Sequence, residues 1–380
     1  MADSWTPRNG GWLIKRSCLA ALGLLLAACA APSTSGPAQA LLRDHTQCQA
    51  ARYAAPQWSP GSGGEQIVYS SLTASSFDLR AMTGLGRDDH LLAQDLVAPL
   101  VSPDGSAVLF QRALTPGVTA FHTFLLDPAS GQARQLSLSG QDFAWSPPGD
   151  GGWLAYVSTA QLTGSLFKLE VSTGQTVLLD RIPDGVSGWD AYPVWSSDGQ
   201  RLAFAAFRDG RPSIQVIAAG GGVSTRLLGG GAPACLLPSP VEEFWPLGWR
   251  PDGRALLVQD LCDRRAALHL VDLAGHEIAD LAALGPDATE AQLSPDGTQI
   301  VYTVDDPRLS HSGLFIARAD GSNVIPLHAD ALDPHWSPDG RAIVFVGHDP
   351  GGLDEVDTIR PDGSALAQLT DNPGNGVCLH

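Results

Sequence analysis

Seven short apolar runs recur along the chain at near-even intervals. They are Gln66-Ile67-Val68-Tyr69, Ala107-Val108-Leu109-Phe110, Trp153-Leu154-Ala155-Tyr156, Arg201-Leu202-Ala203-Phe204, Ala255-Leu256-Leu257-Val258, Gln299-Ile300-Val301-Tyr302 and Ala342-Ile343-Val344-Phe345. Odd and even positions are apolar alike, the pattern of a strand buried on both faces. Each run follows a tight polar turn, and each turn follows an apolar residue and Ser or Arg. The phrase reads Gln57-Trp58-Ser59-Pro60, Val101-Ser102-Pro103-Asp104-Gly105, Trp145-Ser146-Pro147, Trp195-Ser196-Ser197-Asp198-Gly199, Trp249-Arg250-Pro251-Asp252-Gly253, Leu293-Ser294-Pro295-Asp296-Gly297 and Trp336-Ser337-Pro338-Asp339-Gly340. In the turn, Pro presets φ, Asp bonds the local backbone and Gly accepts positive φ.

A third strand follows in each unit and enters a second Gly-rich turn, as in Phe124-Leu125-Leu126-Asp127 before Ser130-Gly131, or Leu314-Phe315-Ile316-Ala317 before Asp320-Gly321. A short outer strand closes the unit, such as Arg134-Gln135-Leu136 or Ala367-Gln368-Leu369-Thr370. The Ser or Arg positions of successive phrases are 43, 44, 50, 54, 44 and 43 residues apart. A period of about 44 with four strands per unit predicts an all-β β-propeller of seven four-stranded blades. No sustained helical periodicity appears after the first thirty residues.

The recurring Trp reads as core. Val101 and Leu293 replace it in two copies, so bulk and apolarity, rather than an indole, are expected to be what the position needs. The recurring Asp reads as turn chemistry, not as a ring of functional carboxylates. With its Trp-Ser-Pro-Asp-Gly core, the repeat resembles the TolB-type, WD-like propeller repeats over about residues 50–372. That resemblance implies the propeller fold and no single function, because many roles share it. TolB itself has six blades and an α/β domain ahead of them; this chain has seven motif copies and only a few tens of residues before the first.

The N-terminus reads as an address. Lys15 and Arg16 precede the apolar stretch Leu19–Leu26, which is too short to span a bilayer, and Leu26-Ala27-Ala28-Cys29 resembles a bacterial lipobox. The expected organisation is a lipoprotein signal peptide over 1–28, lipidated Cys29 and a flexible tether over 29–47, and the propeller over 48–380. The protein would then be anchored by lipid in the bacterial cell envelope, facing periplasm or exterior. Charge agrees with a partner other than nucleic acid. The chain carries −17, residues 1–28 contribute +2, and the remainder carries −19 with Lys168 as its only lysine.

Beyond Cys29, the processed chain holds Cys48, Cys235, Cys262 and Cys378, which allow three pairings. Ring topology selects Cys48–Cys378, where the ring closes, and Cys235–Cys262, in two loops that emerge on one face. An oxidising envelope permits both.

The short turns share one face of the ring and the variable loops share the other. Two segments there are expanded, Arg181–Tyr192 and Gly229–Trp245, and they lengthen the spacing to 50 and 54. The binding-face candidates are Trp189, Tyr192, Arg208, Glu242, Glu243, Phe244, Trp245, Arg264, Arg265, His311, His348 and Asp349. No catalytic set emerges: Gly185-Val186-Ser187-Gly188 lacks the final Gly of a nucleophile elbow, and no metal-binding pair or phosphate loop is present. No cofactor is expected. The role that fits is binding of an envelope protein, peptide or glycan at the loop face or central channel by a monomeric propeller. The alternatives are a propeller enzyme acting on polysaccharide, as lyase or hydrolase, and a structural spacer in an envelope assembly.

The address and the pairing are checked together. Intact-mass analysis of protein from native membranes should give a chain starting at Cys29 with acyl mass, and non-reducing peptide mapping should join Cys48 to Cys378 and Cys235 to Cys262. A soluble product cut elsewhere refutes the lipobox; four free thiols refute the pairing.

Overall fold

The computed structural model describes residues 52–61, 64–72, 77–94, 97–113, 121–149, 152–160, 164–229, 242–262, 265–279, 281–285, 287–305, 312–348 and 353–371. They form seven four-stranded antiparallel sheets, each made of four consecutive strands. The blades span Arg52–Ala93, Val97–Gln135, Gly140–Asp180, Gly188–Gly229, Glu242–Ala279, Ala288–His328 and Ala331–Gln368. The first strand of each blade is the inner one, because these strands pack on one another around the ring. The predicted all-β propeller of seven blades is the observed architecture. The signal peptide, Cys29 and the tether lie outside the described residues, as do Cys48, Cys235 and Cys378. Cys262, expected in a loop, is instead the last residue of the second strand of blade 5, Ala255–Cys262.

The second strands carry the ring. In blade 4, Leu202, Phe204 and Ala206 pack towards Ala155, Val157 and Leu166 of blade 3. Ala203 and Ala205 point the other way, towards Leu256 and Val258 of blade 5. A period of two with every position apolar therefore feeds two interfaces at once. Each of the seven interfaces has such a cluster. The ring closes where Ile67, Tyr69 and Met82 of blade 1 meet Val344 and Val356 of blade 7. No sheet mixes strands from the two ends of the described chain, so side-chain packing closes the ring rather than a shared strand.

The expectation that bulk alone matters at the Trp position needs correction. Its indole N–H crosses the blade interface and donates to the preceding inner strand. Trp145, Trp195 and Trp249 reach Leu100 O, Ala144 O and Val194 O at 3.1 Å each, and Trp336 reaches Gln292 O at 3.3 Å. Each acceptor immediately precedes the motif's apolar residue in the blade before. Val101 has no donor to offer blade 1. There Gln57 bridges instead, accepting from Val101 N at 3.3 Å and donating to Pro99 O at 3.5 Å.

The turn motif is equally specific. The Ser102 and Ser294 hydroxyls each donate to the Asp two residues on at 2.6 Å, and accept from a backbone N–H five residues on. The Asp also accepts from the N–H two residues beyond it, as in Ser106 N to Asp104 at 3.0 Å. These donors, the Ser hydroxyl first, hold Asp104, Asp198 and Asp296 below the usual carboxylate range. The recurring carboxylates are turn chemistry, as the sequence suggests.

Trp195→Phe keeps the apolar volume but strips Ala144 O of its donor, and should cost about 1–2 kcal/mol. Trp195→Ala should cost about 3–5 kcal/mol by adding a cavity. Denaturant midpoints of the two variants decide between the contributions; a Phe variant as stable as wild type would leave the indole bond without consequence.

Candidate functional site

Blades 4 and 5 rise above their neighbours on the loop face. Their inner strands, Gly188–Trp195 and Glu242–Trp249, are eight residues long, against five or six in blades 2, 3, 6 and 7. The two long segments expected as loops are thus partly strand: Trp189, Tyr192, Phe244 and Trp245 stand on extended inner strands. Gly188 permits the entry. Its φ is 151°, and a Cβ there would lie 1.8 Å from Phe207 O.

Arg208 organises this raised edge. It ends the second strand of blade 4, and the two-residue turn Asp209-Gly210, with φ of 50° and 74°, returns the chain directly opposite at Arg211. The Arg208 guanidinium donates to Asp180 of blade 3 at 2.9 Å and to Asp190 of its own blade. Its other nitrogen donates to the carbonyls of Trp189 and Phe207, both at 3.0 Å. Asp190 is fully buried and also accepts from Leu166 N at 3.1 Å. Burial pushes its carboxyl up to about 7, against the opposing pull of Arg208. One side chain therefore ties blade 3, the inner strand of blade 4 and the hairpin tip together.

Two surfaces flank this anchor. On the blade 5 side the Trp189 ring stacks on Phe207 at 4.7 Å and 19°, and Trp189 remains 52% exposed. Beside it Tyr192 meets Trp245 edge-on at 6.5 Å, while Phe244 and Trp245 are buried in packing. On the blade 3 side a cleft of about 480 Å³ is lined by Arg208, Asp209, Arg211, Ser213, Gln215 and Arg226.

The other candidates do not converge here. His348 lies on blade 7, between Asp330 and Asp354 at 3.0 Å each; these carboxylates, Asp354 first, raise its pKa. Glu242, Glu243 and Arg265 are placed as strand residues of blade 5, and Arg264, His311 and Asp349 lie outside the described residues. Among the described residues, no three His, Cys, Asp or Glu side chains gather as metal ligands would.

Two features escaped the sequence reading. Arg226 carries no signal in the sequence, because its cross-strand pairing with Gln215 is a matter of register. The Arg208-Asp209-Gly210-Arg211 string does carry a signal, since Asp-Gly between strands predicts a tight hairpin that sets two arginines side by side. The second feature is a bulge in every inner strand, a few residues before the motif. It holds Asp142, Tyr192, Glu290 and Asp333 at φ of 50–52°. Glu290 uses that conformation to accept from Asp333 N of the next blade at 2.9 Å.

No protein-family model and no curated protein matches the chain. Solved structures do. The β-propeller domain of the Trilobed protease from Pyrococcus furiosus, which has an open velcro topology, aligns over 86% of this chain and 99% of that one, with TM-score 0.63 and 14% identity. An oligogalacturonate lyase from Vibrio parahaemolyticus aligns over 84% of this chain and 85% of that one, with TM-score 0.56 and 13% identity. TolB from Acinetobacter baumannii is also among the matches, over 82% of this chain and 78% of that one, with TM-score 0.47 and 17% identity. At these identities the first two likenesses establish the propeller fold and leave function to the site.

The buried carboxyl has a consequence for stability. Asp190 is raised from 3.8 to about 7, so between those values the folded state binds more protons than the unfolded chain. Its contribution therefore falls as pH rises through that window and is level above it. Asp357, pushed up to about 6 by burial, acts with the same sign, so the comparison must be differential. The stability of Asp190→Asn relative to wild type should increase from about pH 4 to about pH 7 and then plateau. A difference independent of pH, measured by denaturant midpoints across the series, would contradict the assignment.

Proposed function

We propose that this chain is an envelope-anchored binding propeller that holds a protein or peptide partner on the raised loop face of blades 4 and 5. The observation that carries this reading is Trp189. A half-exposed indole stacked on Phe207, with its own carbonyl held by the Arg208 guanidinium, is a rigid aromatic anchor of the kind that dominates protein interfaces. Little conformational freedom is left to lose on binding, because the ion pairs to Asp180 and Asp190 hold the strand ends beneath it. Anchoring rests on the lipobox at Cys29, which would hold the propeller near a membrane with the 29–47 tether as its reach.

Trp189→Ala should leave the fold intact, since the side chain is half exposed and the carbonyl to Arg208 remains. It should reduce recovery of the bound partner from native membranes by about tenfold or more, the loss of one anchor. Val223→Ala is the control: Val223 is 94% exposed on the opposite face of the same blade. Equal recovery by wild type, Trp189→Ala and Val223→Ala would place the partner elsewhere.

A further inference from the structure

We propose that the cleft on the blade 3 side of blade 4 is a docking site for an acidic peptide segment, whose carboxylates pair with Arg211 and Arg226. This deepens the binding reading above, but it uses the other face of blade 4 and a different set of side chains from Trp189.

The charge pattern points there first. In a chain with 40 acidic and 23 basic residues, three arginines line one cleft of about 480 Å³. Arg208 is already paired with Asp180 and Asp190. Asp209, the one acid in the lining, is turned aside: its Oδ1 accepts from Ser187 N at 3.0 Å and Ser187 Oγ at 3.2 Å. Among the described residues, Arg211 and Arg226 make no ion pair. Two guanidinium groups are thus left facing one space with a third, already paired, at its rim, an arrangement that a bound anion relieves.

Strand geometry sets the spacing. Arg211, Ser213 and Gln215 alternate along the third strand of blade 4, so all three face the blade 3 side, and Gln215 pairs with Arg226 on the outer strand. Arg211 and Arg226 are therefore rooted about 13–14 Å apart, and long side chains from both ends reach the space between. An extended peptide repeats its side chains on one face every ~6.7 Å, so acids two to four positions apart match that reach.

Two observations favour a peptide over an acidic sugar. The lining contains no aromatic ring on which a sugar would stack; Trp189 and Phe207 lie on the blade 5 side. Among the described residues the outer strand, Thr225–Gly229, pairs only with Arg211–Ala218, which leaves its other backbone edge open next to Arg226. An extended segment can bond to such an edge while its acidic side chains enter the cleft.

The test uses the full processed chain and a fluorescein-labelled peptide of alternating Glu and Thr, with the Gln and Thr analogue beside it, read by fluorescence anisotropy. The Glu peptide should bind at least about tenfold more tightly than the Gln analogue and weaken with added salt. The double variant Arg211→Gln, Arg226→Gln should lose about tenfold or more of that affinity, with an unchanged thermal midpoint, because neither side chain has a structural ion pair to lose. Wild-type affinity in the double variant overturns the proposal. So does stronger competition by trigalacturonate than by unlabelled Glu peptide, which would assign the cleft to acidic sugars. Trp189→Ala should leave peptide affinity unchanged. If the peptide arms fail while Trp189→Ala still loses the membrane partner, the cleft falls and the aromatic face stands; the reverse result removes the aromatic face and keeps the cleft.

Discussion

Everything in this molecule depends on each second strand being buried on both faces. A strand in the middle of a blade has a neighbouring blade on either side, and neither side leaves it water. Leu202, Phe204 and Ala206 serve one interface while Ala203 and Ala205 serve the next. The requirement repeats until the last blade meets the first. Closure between Ile67, Tyr69, Met82 and Val344, Val356 then rests on the same packing as every other interface, and among the described residues no shared strand fastens it. Curvature of the ring thus follows from side-chain volume, and non-directional burial alone would leave the angle between blades loose.

Directional bonds supply what burial lacks. The indole N–H groups of Trp145, Trp195, Trp249 and Trp336 each bond to a fixed carbonyl of the blade before, which sets the slide and tilt of one sheet on the next. Beneath them, the buried Ser of the motif holds both its Asp and the start of the second strand, so the turn enters each interface at one angle. At the closing interface the Trp58 indole N–H is buried without a partner among the described residues. Among the described residues it is the one indole-bearing junction that lacks this bond.

The raised edge of blade 4 shows how this frame supports binding chemistry. Arg208 is held among carbonyls and carboxylates from three strands, with Asp190 wholly out of water. Burying a charge pair costs desolvation, and breaking one partner away from such a pair costs more still. The hairpin tip above it is thereby kept in one position. An exposed indole on one side and, on the other, guanidinium groups that make no ion pair among the described residues are mounted on that fixed edge.

The repeat was legible in the residues. Doubly apolar runs behind Pro-Asp-Gly turns, counted at their spacing, determine strand number, blade number and the turn role of Asp, because each blade is built from local contacts within about 44 residues. The two elongated spacings mark blades 4 and 5 and carry Trp189, while Arg208 stands on a shorter loop expected on the same face. What composition could not reveal was direction. Whether a Trp nitrogen finds a carbonyl depends on the next blade's position, and replacement by Val101 and Leu293 concealed that role. The extra residues form strand because the second strand beside each, eight residues long, offers backbone partners along its length. Arg226 enters the cleft through a register shift in the outer strand, and His348 is held on blade 7 between Asp330 and Asp354. Local sequence thus determined each blade and its turns. Only the tertiary structure decided which polar side chains meet, because those meetings lie between strands and blades whose mutual placement no single repeat encodes.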